Sequence, residues 1–163
     1  MSLNILRRTI MDFKFFEEVV DFAIEKEKQA VEFYENIAGK APFPSVKEIL
    51  LGFAKEELKH QAMLEGLKKN DSNIDDYKFA WVPDLKRSDY IVDVTYDKHM
   101  SYVELLRLAM KREEKSLKLY NEFIGKVEKK ELVAVFKILA QEEADHKLKL
   151  ETLYDDFMAK QGD

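Results

Sequence analysis

Apolar residues recur at three-and-four spacing in four stretches of the chain, the period of a helix that buries one face. The first runs from about Asp12 to Ala38, where Phe15, Phe16, Val19, Phe22, Ala23, Ala30, Tyr34 and Ile37 form a stripe and Gly39 stands at the C-cap position. The second runs from Ser45 to about Lys69, opening on a capping-box pattern (Ser45, Glu48) and ending at Asn70. The third runs from Ser101 to Ile124, opens on a second capping box (Ser101, Glu104) and closes at Gly125. The fourth runs from about Lys130 to Ala159. At 1.5 Å rise per residue, about 25 residues give a rod of about 38 Å, and four such rods form an all-α bundle.

The connections set the topology. Short links join the first helix to the second and the third to the fourth, so each pair is an antiparallel hairpin. The stretch from Asn70 to Met100 is too long for a structureless loop and is expected to be a crossover running the length of the bundle. It carries Asp71, Asp75, Asp76, Pro83 and Asp84, and the aromatics Tyr77, Phe79, Trp81, Tyr90 and Tyr96, which are expected to pack it down.

Composition narrows the class. With 46% hydrophobic and 36% charged residues, the 163-residue chain has material for one core under an ionised surface, and a single domain spanning residues 1–163 is expected. Five Gly and three Pro argue against a many-turned β-sandwich. The absence of Cys excludes disulfides, thiol nucleophiles and cysteine-held clusters within the chain. A net charge of −5 removes the electrostatic case for nucleic acid. No signal-type start and no long apolar run are present, so a cytoplasmic protein without a membrane span is expected.

The chain also repeats itself. A shift of 86 residues, from Ala23 to Ala109, lays the second hairpin on the first without a gap. Glu27, Tyr34, Glu56, Glu57, His60, Leu64 and Glu65 then meet Glu113, Tyr120, Glu142, Glu143, His146, Leu150 and Glu151. Two copies of one hairpin predict a pseudo-twofold axis. Glu27 and Glu113 interrupt otherwise apolar stripes on the first and third helices. Glu57-x2-His60 and Glu143-x2-His146 place a carboxylate and an imidazole on one helix face, about 300° and 4.5 Å apart.

Four carboxylates and two imidazoles are therefore expected to converge in the core. Each bare carboxylate costs several kcal/mol to bury, and like charges add to that. Two divalent cations would balance the four negative charges, and neutral imidazoles would complete their shells. Glu27, Glu57, His60, Glu113, Glu143 and His146 are thus the expected metal ligands. Carboxylate and imidazole suit iron or manganese, and zinc or cobalt would also bind. His99 lacks a motif partner and reads as a surface residue, Glu56 and Glu142 face about 100° away from the ligands, and Glu65 and Glu151 recur without an assigned role.

At these motifs, Ala23-x3-Glu27-x6-Tyr34, Glu57-x2-His60 and their repeats, the chain resembles the ferritin-like diiron-carboxylate superfamily, and within it rubrerythrin-like proteins without a rubredoxin domain. The resemblance implies a ferritin-like four-helix bundle with one long crossover, and a centre that reduces peroxide or O2. It implies bridging or chelating roles for Glu57 and Glu143, terminal or bridging roles for Glu27 and Glu113, capping roles for His60 and His146, and orientation of the carboxylates by Tyr34 and Tyr120. Iron is the metal it implies, with manganese and zinc as alternatives, and a homodimer is the family's habit. Two features depart from the family. Ser116 stands where an additional third-helix glutamate is usual, with Glu114 turned away, and no cysteine is present to hold a rubredoxin iron. The expected activity is a diiron oxidoreductase fed by a separate electron-donor protein. The alternatives are an iron-oxidising or metal-handling protein and a helical module merely stabilised by metal.

Overall fold

The computed structural model describes residues 3–69, 82–86 and 96–161, with the backbone alone for residues 4–15. Four helices form in the predicted order: α1 (Leu3–Ala38), α2 (Pro44–Lys68), α3 (Tyr102–Lys126) and α4 (Lys130–Gln161). Among the described residues there is no strand, and no helix is long and apolar enough to cross a membrane. The chain is all-α.

Its residues fall into two compact units, one built on α1 and α2, the other on α3 and α4 with residues 40–44 and the described parts of the long connection. In the first, Tyr34 near the end of α1 meets Phe53 early in α2, ring centroids 5.3 Å apart. At the opposite end Lys68 pairs with Asp21 at 2.6 Å. Late-to-early and early-to-late contacts define an antiparallel hairpin. The second unit has the same logic. Tyr102 meets Phe157 edge-on at 5.1 Å and Arg107 donates to Tyr154 Oη at 3.2 Å, whereas Tyr120 stacks on Phe136 at 5.6 Å.

The stripes read from the sequence are the buried faces. Val20, Ala23, Tyr34, Ile37, Leu50, Phe53 and Leu64 are buried in the first unit, and Leu105, Leu106, Met110, Tyr120, Phe136, Leu139 and Leu150 in the second. Each large side chain contributes roughly 1.5–3 kcal/mol on leaving water. Phe22 is the exception: it stays 45% exposed, its ring covered by Lys26 at 5.4 Å, so it lies beside the buried stripe rather than in it. Phe15 lies outside the side chains described.

Helix ends differ from the sequence expectation where local signals compete. The Ser101–Glu104 capping box forms as predicted, the Ser101 hydroxyl accepting from the Glu104 amide and the Glu104 carboxylate accepting from the Ser101 amide. The Ser45–Glu48 box does not cap α2, because Pro44 takes the first helical position and draws Ser45 into the first turn. Gly125 does not stop α3, which continues to Lys126 before Val127 turns extended. No described glycine has positive φ, so Gly39 ends α1 without a left-handed cap. The first helix begins at Leu3 rather than near Asp12.

Of the crossover aromatics, Tyr77, Phe79, Trp81 and Tyr90 lie outside the described residues, as do Asp71, Asp75 and Asp76. Tyr96 is not packed away: it is 43% exposed, with Lys40 Nζ 5.7 Å above its ring. His99 is on the surface, as the sequence indicates.

Candidate metal centre

Each unit gathers one Glu from its first helix and a Glu-x2-His pair from its second. In the first unit, α1 presents Glu27 one helical turn beyond Ala23, at a position whose neighbours are apolar and buried. The three-residue spacing on α2 sets Glu57 and His60 on the same face, with His60 Nδ1 3.1 Å from Glu57 Oε2. The same nitrogen lies 3.5 Å from Glu27 Oε2. Glu27, Glu57 and His60 each offer a ligand atom within 4.8 Å of the other two.

The second unit repeats the arrangement. Glu113 on α3 and Glu143 and His146 on α4 also bring ligand atoms within 4.8 Å of one another. His146 Nδ1 is 3.6 Å from Glu113 Oε1. In both triads it is Nδ1 that faces the carboxylate from the partner helix.

Burial gives these groups their chemistry. The six side chains are between 0% and 3% exposed, as withdrawn from water as the leucines around them. A carboxylate in that position resists ionisation. Burial first, and then the neighbouring Glu57, push the Glu27 carboxyl up from its usual 4.5 to about 8, with His60 working in the opposite direction. Hard oxygen donors joined to one imidazole, all buried and converging within bonding reach of a common point, fit a first-row divalent ion. The buried Glu and His groups are compatible with a metal site.

Tyr34 and Tyr120 are 1% exposed and occupy equivalent places in the two hairpins. Tyr34 is held edge-on by Phe33 and Phe53, Tyr120 by stacking on Phe136. Glu56 and Glu142, directly before Glu57 and Glu143, are half-buried, in keeping with their turned-away positions.

Sequence reasoning missed Lys147. It is 5% exposed, next to His146, and its ammonium lies 2.8 Å from the carboxylate of the fully buried Glu151. A signal was present in the repeat: the recurring Glu65 and Glu151 are each preceded, four residues earlier, by a side chain that can donate to them, Gln61 in one copy and Lys147 in the other. Gln61 Nε2 donates to Glu65 Oε1 at 3.0 Å.

Comparison with known proteins agrees with this geometry. No curated protein matches the chain. A hypothetical protein from Pyrococcus furiosus, known from its solved structure, is 29% identical, with a TM-score of 0.63 over 86% of this chain and 88% of that one. The rubrerythrin family model matches residues 18–95 and 104–162, a span that includes both triads and both buried tyrosines. The chain belongs to the rubrerythrin family, within the ferritin-like superfamily.

Proposed function

We propose that the two Glu/Glu/His triads act together as one dinuclear centre, loaded with iron, that reduces peroxide or O2 with electrons from an external donor. The observation that carries this reading is the duplicated burial of two carboxylates and one imidazole, once in each hairpin. Two such triads supply four negative charges, the complement of two divalent ions, and six ligands leave open positions for a small oxidant. Bound there, ferrous iron would supply the two electrons that, with two protons, convert one peroxide to two waters.

The protein's own part is positioning and exclusion. Glu57 and Glu143 share a helix face with His60 and His146, so each helix fixes two ligands with one backbone. Glu27 and Glu113 approach from the facing helix of each hairpin. Tyr34 and Tyr120, seven residues beyond Glu27 and Glu113 and fully packed, are assigned to orienting the carboxylates, the kind of outer support that fixes ligand geometry. A near-dry surround keeps the centre from exchanging freely with water. With no cysteine in these 163 residues, the electrons come from a donor outside them. A cytoplasmic homodimer is the setting this reading assumes.

Anaerobic mixing of iron-loaded, reduced protein with peroxide tests the reading. It requires about one peroxide lost per two ferrous ions oxidised, and ferrous iron restored on adding a reductant. Peroxide left unconsumed while metal stays bound would instead make the chain a metal-handling or metal-stabilised protein.

A further inference from the structure

We propose that the exposed face of the α1–α2 hairpin is a docking surface for a second copy of this chain, the acidic stripe of α1 in each copy lying on the basic face of α2 in the other. The inference rests on the homodimeric setting of the reading above and holds whatever metal the triads carry.

The charges of this hairpin are sorted by helix. On α1, Glu18, Asp21, Glu25, Glu32 and Glu35 are all exposed and follow a three-and-four spacing that Lys28 alone interrupts. On α2 the exposed charges are Lys47, Lys55, Lys59 and Lys68, followed by Lys69, against the single acid Glu48. Among the described residues, the one ion pair between the two sets is Asp21 with Lys68 at 2.6 Å. Glu18, Glu25, Glu32 and Glu35 make no ion pair there, nor do Lys55, Lys59 and Lys69. Like charges three or four residues apart repel, so each helix carries a cost in the free chain that an oppositely charged surface removes. Leu58, 48% exposed between Lys55 and Lys59, gives the basic face an apolar centre.

The repeat shows that this sorting belongs to one hairpin. Moved by 86 residues, Asp21, Glu25 and Glu32 become Arg107, Lys111 and Lys118, and Lys55, Lys59 and Lys69 become Gln141, Asp145 and Asp155. There charges are engaged within their own helix, Lys111 with Glu114 at 3.3 Å and Asp145 with Lys149 at 2.8 Å. The counterpart of exposed Leu58 is Ala144, smaller and half-buried. Helical register alone therefore does not produce the stripes.

A surface with one stripe of each sign fits a copy of itself; a partner of uniform charge would be repelled by half of it. The symmetry follows from the sorting. A twofold axis parallel to the helices lays α1 on the partner's α2 twice, acid against lysine, in an isologous contact. A twofold axis across the helices lays α1 on α1 and α2 on α2, like charge against like.

Sedimentation of the intact chain tests this with two triple variants, Glu18→Lys, Glu25→Lys, Glu32→Lys on α1 and Lys55→Glu, Lys59→Glu, Lys69→Glu on α2. All six residues are exposed, and lysine and glutamate suit a helix about equally, so both variants keep their helical content, which circular dichroism verifies. Wild type is expected to dimerise, with a dissociation constant about tenfold or more weaker at about 0.5 M salt than at about 0.05 M. Each triple variant should bind itself about tenfold or more weakly than wild type. The sixfold variant that combines them keeps the net charge of −5 and restores complementarity with the signs exchanged, so it should dimerise within about threefold of wild type. A dimer that survives either triple reversal overturns the docking surface and leaves the homodimer standing. A sixfold variant that stays monomeric overturns the laying of α1 on α2. A wild-type chain that is monomeric throughout overturns both the surface and the homodimer, with the dinuclear centre untouched.

Discussion

The ammonium of Lys147 lies 2.8 Å from the carboxylate of Glu151, one turn along α4, with both side chains withdrawn from solvent. Such a pair is costly to halve and cheap to replace whole. Lys147→Met leaves Glu151 as an uncompensated buried charge and should destabilise the metal-free chain by about 3–5 kcal/mol. Lys147→Met with Glu151→Leu should recover most of that loss. Urea unfolding of the two variants checks the prediction; equal destabilisation of both would contradict it.

The contact with Asp84 has a pH signature. The hydrogen bond from Lys147 outweighs partial burial and holds the Asp84 carboxyl below its ordinary value of 3.8. A lowered carboxyl pKa adds stability above the unfolded-state value and loses it as pH falls through the folded-state value. The melting-temperature gap between wild type and Asp84→Ala should therefore be present at pH 7 and close in the acid range below the usual carboxylate pKa. Thermal melts of metal-free protein from pH 7 to strongly acidic buffer measure it.

Two glycines lie inside helices with open space where a Cβ would stand: Gly52 in α2 and Gly125 in α3. Neither has positive φ. Gly52→Ala and Gly125→Ala should each stabilise the fold by about 0.5–1 kcal/mol, since alanine loses less conformational freedom on entering a helix. The gain should appear in urea midpoints without a change in slope.

Metal should also stabilise the fold by mass action. An ion that binds only the native state adds about 2.7 kcal/mol at a hundredfold excess over its dissociation constant. The rise in melting temperature on adding ferrous or cobalt ion should be large in wild type and smaller in Glu57→Ala and His146→Ala, each of which removes a ligand from one triad. Identical shifts in wild type and variants would place the stabilising ion elsewhere.

The helices and the buried Glu/His triads were legible because their signals are local or duplicated. Ser101 and Glu104 satisfy each other within one turn, so the sequence alone locates the start of α3. Glu27 and Glu113 announce themselves as charges on apolar stripes, and the repeat marks Glu57, His60, Glu143 and His146 twice. Signals that depend on context failed. Ser45 and Glu48 carry the same pattern as Ser101 and Glu104, but Pro44 starts the helix first. Gly125 reads as a stop and is carried through by the helix. Phe22 sits at stripe spacing yet falls just outside the buried arc, a displacement of one position that periodicity does not resolve. Lys147 was invisible for a different reason: a lysine on a charged helix reads as solvent-facing, and only Glu151 and Asp84 together make its burial affordable.

The most direct test of the dinuclear centre is the metal content and optical spectrum of the anaerobically purified chain, before and after one equivalent of peroxide. The account predicts about two irons per chain and a near-ultraviolet ferric charge-transfer band that appears on peroxide addition, both absent in a Glu57→Ala, Glu143→Ala double variant. A wild-type chain that holds no metal even after reconstitution, or a double variant that still holds about two ions, would contradict it.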